Sequence, residues 1–140
     1  MKNSLLVLQN YQINTRIIIA SLWIAMLFVF AYVDIFSLFR ADVLQNALAG
    51  KVFTFEANQS FFLMTLIFTI IPTLLIPITL IAKAKISRWL NIIFPILYIV
   101  MIAGSMIGET WFYYLLGSVV EIILLVILIA YAWKWPRIAR

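Results

Sequence analysis

The sequence predicts an all-α, integral membrane four-helix bundle, and three observations carry that prediction. Apolar runs of about 19–23 residues recur at Ile17–Phe39, Ser60–Ala82, Trp89–Ile107 and Trp111–Trp133, each long enough to cross a bilayer. Hydrophobic residues make up 66% of the 140, far above the roughly 45–50% apolar usage of soluble domains. Only 10 basic and 5 acidic side chains are present, too few to coat the outside of so apolar a chain. Residues 1–140 therefore read as a single four-span transmembrane domain.

Composition also removes several kinds of chemistry. There is no cysteine and no histidine, so disulfides, thiolate metal sites and the commonest neutral-pH base and metal ligand are absent. No metal and no cofactor is expected, and no catalytic residue is assigned. The net charge of +5 has a topological cause rather than a nucleic-acid partner. Lys2, Arg16, Lys83, Lys85, Arg88, Lys134, Arg137 and Arg140 fall on one side of the four spans, and only Arg40 and Lys51 on the other. By the positive-inside rule both termini are cytoplasmic, and the chain reads as a multi-pass membrane protein with its basic side against anionic headgroups.

Residues 1–16 are too polar to insert, and their Leu5-Leu-Val-Leu8 run is too short for a signal-peptide core. No small-residue cleavage site follows the next apolar stretch, which reads as a retained span. This first span lies between Arg16 and Arg40, as expected of charges that mark interfaces. Asp34 falls about 7 Å from its exit end, on a helical face shared with Trp23, Leu27 and Phe30. It either pairs with Arg40 or caps the exit, or it belongs to a site.

Residues 40–59 form the long loop. Asp42–Gly50 reads as a short amphipathic outer helix stopped by Gly50, with Val43, Leu44 and Leu48 towards lipid or protein. Thr54 and Glu56 suit the N-terminus of the next helix. In the second span Pro72 and Pro77 free the carbonyls of Phe68 and Thr73. Thr65, Thr69 and Thr73 run alongside at four-residue spacing, so the break is either a structural kink or the wall of a lined cavity.

Lys83–Arg88 is a tight basic loop anchored by Trp89. In the third span Asn91, Tyr98 and Ser105 make nearly one stripe. Gly104 and Gly108 form a GxxxG pattern, which predicts close helix contact, placed here within the bundle against the first span, with a homodimer as the alternative. Gly108-Glu109-Thr110 is then so short a turn that the third and fourth spans must be antiparallel neighbours.

The fourth span carries the sharpest pointer. Glu121 lies almost at its centre, with Tyr114, Gly117 and Ser118 on its own face. A carboxylate at that depth is costly and by default a site hypothesis. The economical packing turns the polar stripe of every span inward and leaves Leu, Ile, Val and Phe facing lipid. Glu121 and Asp34 then differ in depth by about 8 Å. With no cation in the spans, the cost of burying charge favours the neutral acid, which can release its proton when a cation arrives. Small four-span multidrug exchangers use one membrane carboxylate in that way, but theirs lies in the first span, and the likeness is one of logic.

Together, Leu22-Trp23…Tyr32-x-Asp34-Ile35, Arg88-Trp89-x-Asn91 and Glu121…Tyr131-Ala-Trp133-Lys134-Trp135 resemble a family of uncharacterised bacterial four-span membrane proteins. The resemblance covers nearly the whole chain. It implies that Trp23, Asp34, Arg88, Asn91 and Glu121 belong to the family pattern, and it implies no activity. Phe30 stands where the pattern has a polar Asn, which leaves Asp34 one partner short.

Three functions follow. The first is binding or transport of a small lipophilic or cationic ligand, proton-coupled, at Glu121 with Asp34, Tyr114, Ser118, Trp23, Tyr98 and Asn91 around it. The second is a non-catalytic structural or accessory protein in which Glu121 is a hydrogen-bonded pin between helices. The third is an enzyme on a lipid-like substrate, resembling in layout the four-span sterol isomerases, against which the missing His and Cys argue.

Overall fold

The computed structural model describes residues 8–137. Within them the chain forms α1 (Thr15–Ser37), α2 (Ala41–Leu48), a hairpin of β1 (Lys51–Val52) and β2 (Phe55–Glu56), α3 (Gln59–Ile81), α4 (Ala84–Ser105) and α5 (Phe112–Trp133). Four of these helices, α1, α3, α4 and α5, are long and apolar enough to cross a membrane. The protein is a multi-pass, all-α membrane bundle. Lys2 and Arg140, counted in the charge balance above, lie outside the described residues.

Helix ends follow from local chemistry. Asn14 starts α1 by accepting the Arg16 N–H on its side chain at 2.9 Å, and Asn58 starts α3 by accepting that of Phe61 at 2.9 Å. Asn58 thus takes the capping role expected of Thr54 and Glu56. Those residues belong instead to the hairpin, whose turn holds Phe53 at φ 54°. The basic loop is also shorter than expected. Only Ala82 and Lys83 separate α3 from α4, and Lys85–Arg88 already lie within the helix. Gly50, at φ +74°, stops α2 as expected. No residue of α2 is buried, as suits a helix lying along an interface rather than packed into the bundle.

Two arginines that mark the interface also close helices. Arg16 Nη1 donates to the carbonyls of Thr79 (2.8 Å), Leu80 (3.1 Å) and Ala82 (2.7 Å) at the end of α3. Arg88 donates to those of Ala132 and Trp133 at the end of α5, at 3.3 and 3.5 Å. A positive charge there satisfies orphan carbonyls and complements the helix dipole.

Packing places α1 between α5 and α3, and α5 between α1 and α4, so α4 and α5 are the expected neighbours. By contrast α3 and α4 touch sparsely despite their short connection. The core lies along Ile19, Trp23, Met26, Ile92, Leu125 and Leu128. Among the glycines the tight approach is at Gly117, where an added Cβ would clash with Val33 Cγ2. This corrects the expectation for Gly104 and Gly108, around which an added Cβ would meet nothing within 4 Å. Gly104 lies on the exposed side of α4, and Gly108, at φ +83°, serves the turn.

Where Pro72 interrupts the hydrogen-bond ladder of α3, α4 satisfies the freed backbone. The Tyr98 hydroxyl of α4 donates to the Phe68 carbonyl that Pro72 frees, and a space of only about 10 Å³ remains beside Phe68, Pro72 and Tyr98. Thr65, Thr69 and Thr73 donate to carbonyls one turn back, at 3.0, 3.2 and 2.9 Å. Thr65 and Thr73 point outward. This stripe is not turned inward, because each hydroxyl is satisfied within its own helix.

Candidate functional site

On α5, Ser118 and Glu121 are each 2% exposed. They sit on the face that Gly117 brings against α1. The buried stripe of α1 runs Ile19, Trp23, Met26, Val33, and Asp34 is the next residue, an exposed one at the edge of that contact. Asp34 therefore does not share the buried face of Trp23, as the sequence suggested. Val33 is instead the residue pressed against Gly117, and that close packing puts the Asp34 charge within electrostatic range of Glu121. Tyr114, one helical turn before Ser118, approaches the Ser105 hydroxyl of α4 and lies within range of both acids.

Among the described residues, no hydrogen bond or basic group acts on Glu121 or Asp34. The pairing of Asp34 with Arg40 considered above is not formed, because Arg40 is engaged elsewhere. Its guanidinium binds Asp42 at 2.6 Å and Glu109 at 2.9 Å and lies 4.6 Å above the Trp111 ring. Glu109 also accepts the N–H groups of Thr110 (2.8 Å) and Trp111 (3.0 Å) just before α5. Beside it Ser37 and Tyr113 share a hydrogen bond of 2.9 Å.

These contacts form a clamp over the hairpin end of the α1–α5 contact. Burial alone would push the Glu109 carboxyl up. The Trp111 N–H, the Arg40 guanidinium and the Thr110 N–H outweigh it and hold the group below the usual carboxylate range. The hydrogen bond from Arg40 likewise lowers Asp42.

Three of the expected site residues lie apart from the acids. Trp23 Nε1 donates to Asn91 Oδ1 at 2.7 Å. The Asn91 amide donates to Thr79 Oγ1 and to the Ser87 carbonyl, both at 2.8 Å. Thr79 donates to the Leu75 carbonyl at 2.6 Å. Tyr98 packs edge-on against Trp23, with ring centroids 5.9 Å apart. This buried network joins α1, α3 and α4 near the end that carries the termini. The seven candidates thus divide into Glu121, Asp34, Tyr114 and Ser118 in one group and Trp23, Asn91 and Tyr98 in another.

Sequence reasoning missed Thr79, Ser87 and the capping role of Arg16. The signal was present: Thr79, Ser87 and Asn91 flank a two-residue connection, which folds them together. Among the described residues, no three acidic side chains gather as a metal site.

No curated protein and no solved structure matches the chain. A family model described as a family of unknown function, DUF6326, matches residues 6–140. Nearly the whole chain is covered, its acid pair and its buried network included, and this four-span membrane protein belongs to that family.

Proposed function

We propose that the protein binds a small lipophilic cation at Glu121 and Asp34, in exchange for a proton, with Tyr114 and Ser118 shaping the site. One observation carries this reading: Glu121 is buried at mid-span on the α5 face packed against α1, where Asp34 follows Val33, and among the described residues neither acid has a hydrogen bond or a countercharge. An acid pair in apolar surroundings holds a proton or takes up a cation, since bare charge there is too costly. The balance of basic residues supports cytoplasmic termini, and the resemblance to bacterial four-span membrane proteins supports a bacterial inner membrane.

The contrast with Asn91 weighs against a merely structural acid. A pin between helices needs acceptors, and Asn91 has them, whereas Glu121 has none among the described residues. A lipid enzyme at Glu121 gains no support from the large side cavity, which is lined by α3, the hairpin and Met101, away from both span acids.

The test is binding of tetraphenylphosphonium to purified wild type and Glu121→Gln across pH. Wild type should bind and release the probe as acidification returns the proton. The Gln variant should fold normally and bind none, because an amide cannot ionise. Equal binding by both proteins rules the reading out.

A further inference from the structure

Where α3 and α4 part, the bundle opens sideways into a cavity of about 740 Å³. Its length matches one leaflet. The lining extends along α3 from Asn58 to Ile71, about 20 Å at ~1.5 Å per residue, against ~15 Å for half of a bilayer core. Its polarity is graded along that length. At the mouth stand Glu56, Asn58 and Ser60, and below them Phe61, Met64, Phe68, Ile71 and Met101 make an apolar trough. Thr65 also lines the trough, but its hydroxyl is spent on the Phe61 carbonyl.

The groove is also held open by design of its walls. Phe55 of the hairpin stacks on Phe61, with centroids 6.0 Å apart, which fixes the hairpin beside the mouth. Deeper down, Phe68 stacks on Tyr98 at 4.4 Å, and the Tyr98 hydroxyl ties down the carbonyl above the Pro72 kink. The hairpin then presents two opposite charges at headgroup level. Lys51 and Glu56 are register partners across it, both exposed. The ion pairs among the described residues are those of Arg40, so no salt bridge ties Lys51 to Glu56.

We propose that this groove binds one zwitterionic phospholipid bearing a primary amine, drawn from the leaflet on the hairpin side. One acyl chain lies in the α3 trough, the ammonium group meets Glu56, and the phosphate meets Lys51. Charge complementarity selects the headgroup, and the graded polarity sets its orientation, head at the hairpin and tail towards Pro72. The site is separate from the acid pair between α1 and α5.

Native mass spectrometry of the full chain, released from mixed vesicles of phosphatidylethanolamine, phosphatidylcholine and phosphatidylglycerol, tests this. The wild type should retain one phosphatidylethanolamine in preference to the other two. Glu56→Gln, a change at an exposed residue, should lower that retention about tenfold, as loss of one charge-assisted hydrogen bond does. Met64→Trp, which fills the trough, should abolish retention of all three lipids. Equal retention of the three lipids by wild type overturns the proposal, as does unchanged preference in Glu56→Gln. A lipid-free dimer whose interface is broken by Met64→Trp also overturns it, since a second copy would then be the occupant.

Discussion

At the scale of the residue, two small side chains with similar sequence signals have opposite roles. Gly117 is packed so that an added methyl would clash with Val33 Cγ2, and a β-branched side chain in a helix has little rotamer freedom to give way. Gly117→Ala should lower stability by about 1–3 kcal/mol, as overpacking does, measured as a fall in thermal midpoint. Gly104→Leu has open space around it and should leave the monomer's midpoint unchanged.

Asn91 is the other decisive residue. Asn91→Leu removes the acceptor of Trp23 and the donor to Thr79 and Ser87 at once. Membrane hydrogen bonds average about 0.6 kcal/mol each, so a loss of roughly 2 kcal/mol is expected in reversible unfolding in detergent. Loss much below that would show the network contributes little. The sequence placed Asn91 and Trp23 in a ligand site because both are polar-capable groups in a span. It could not show that each has the other as partner, since that pairing joins positions 68 residues apart.

At the scale of the element, span existence was legible and span surroundings were not. Apolar length alone located four helices to within about two residues, except at the start of α4. There Lys83–Arg88 reads as loop by charge, yet all but its first residue is helical. Long basic side chains reach the interface from a helix as easily as from a loop. The hairpin was missed because two-residue strands carry no periodic signal. The clamp of Arg40 on Glu109 was missed because it joins a loop to a turn 69 residues away.

That clamp has a pH signature. Glu109 is held below its unfolded value, so its contribution is complete above the ordinary carboxylate range and is lost as pH falls through the folded value. Wild type should therefore lose stability on acidification in that window. Glu109→Gln should start from a lower stability and show a smaller loss over the same range. An identical acid dependence in the two proteins would place the sensitivity elsewhere.

On the scale of the whole molecule, the bundle's polar groups are divided by depth. The uncharged network of Trp23, Asn91 and Thr79 lies towards the end with the termini, and the acids lie nearer the hairpin end. The sequence located the acid pair's members, Asp34 and Glu121, from the cost of charge in a span. Their closeness depends on α1 lying beside α5, which no short-range pattern encodes. Topology remains the simplest global test. Reporter fusions at Arg140 and beside Lys51 should report opposite sides of the membrane, with Arg140 cytoplasmic. A periplasmic signal at Arg140 would overturn that orientation.

The adjacency of α1 and α5 bears on how the protein is made. The first span to leave the ribosome finds its principal partner only in the last. Until α5 arrives, Val33 lacks the glycine it packs on, and Asp34 lies beside lipid without the helix that flanks it in the finished bundle. Nascent chains that end after α4 are thus incomplete in a specific way, with one long seam unfilled. Docking of the 22-residue α5 against α1 is what shuts that seam.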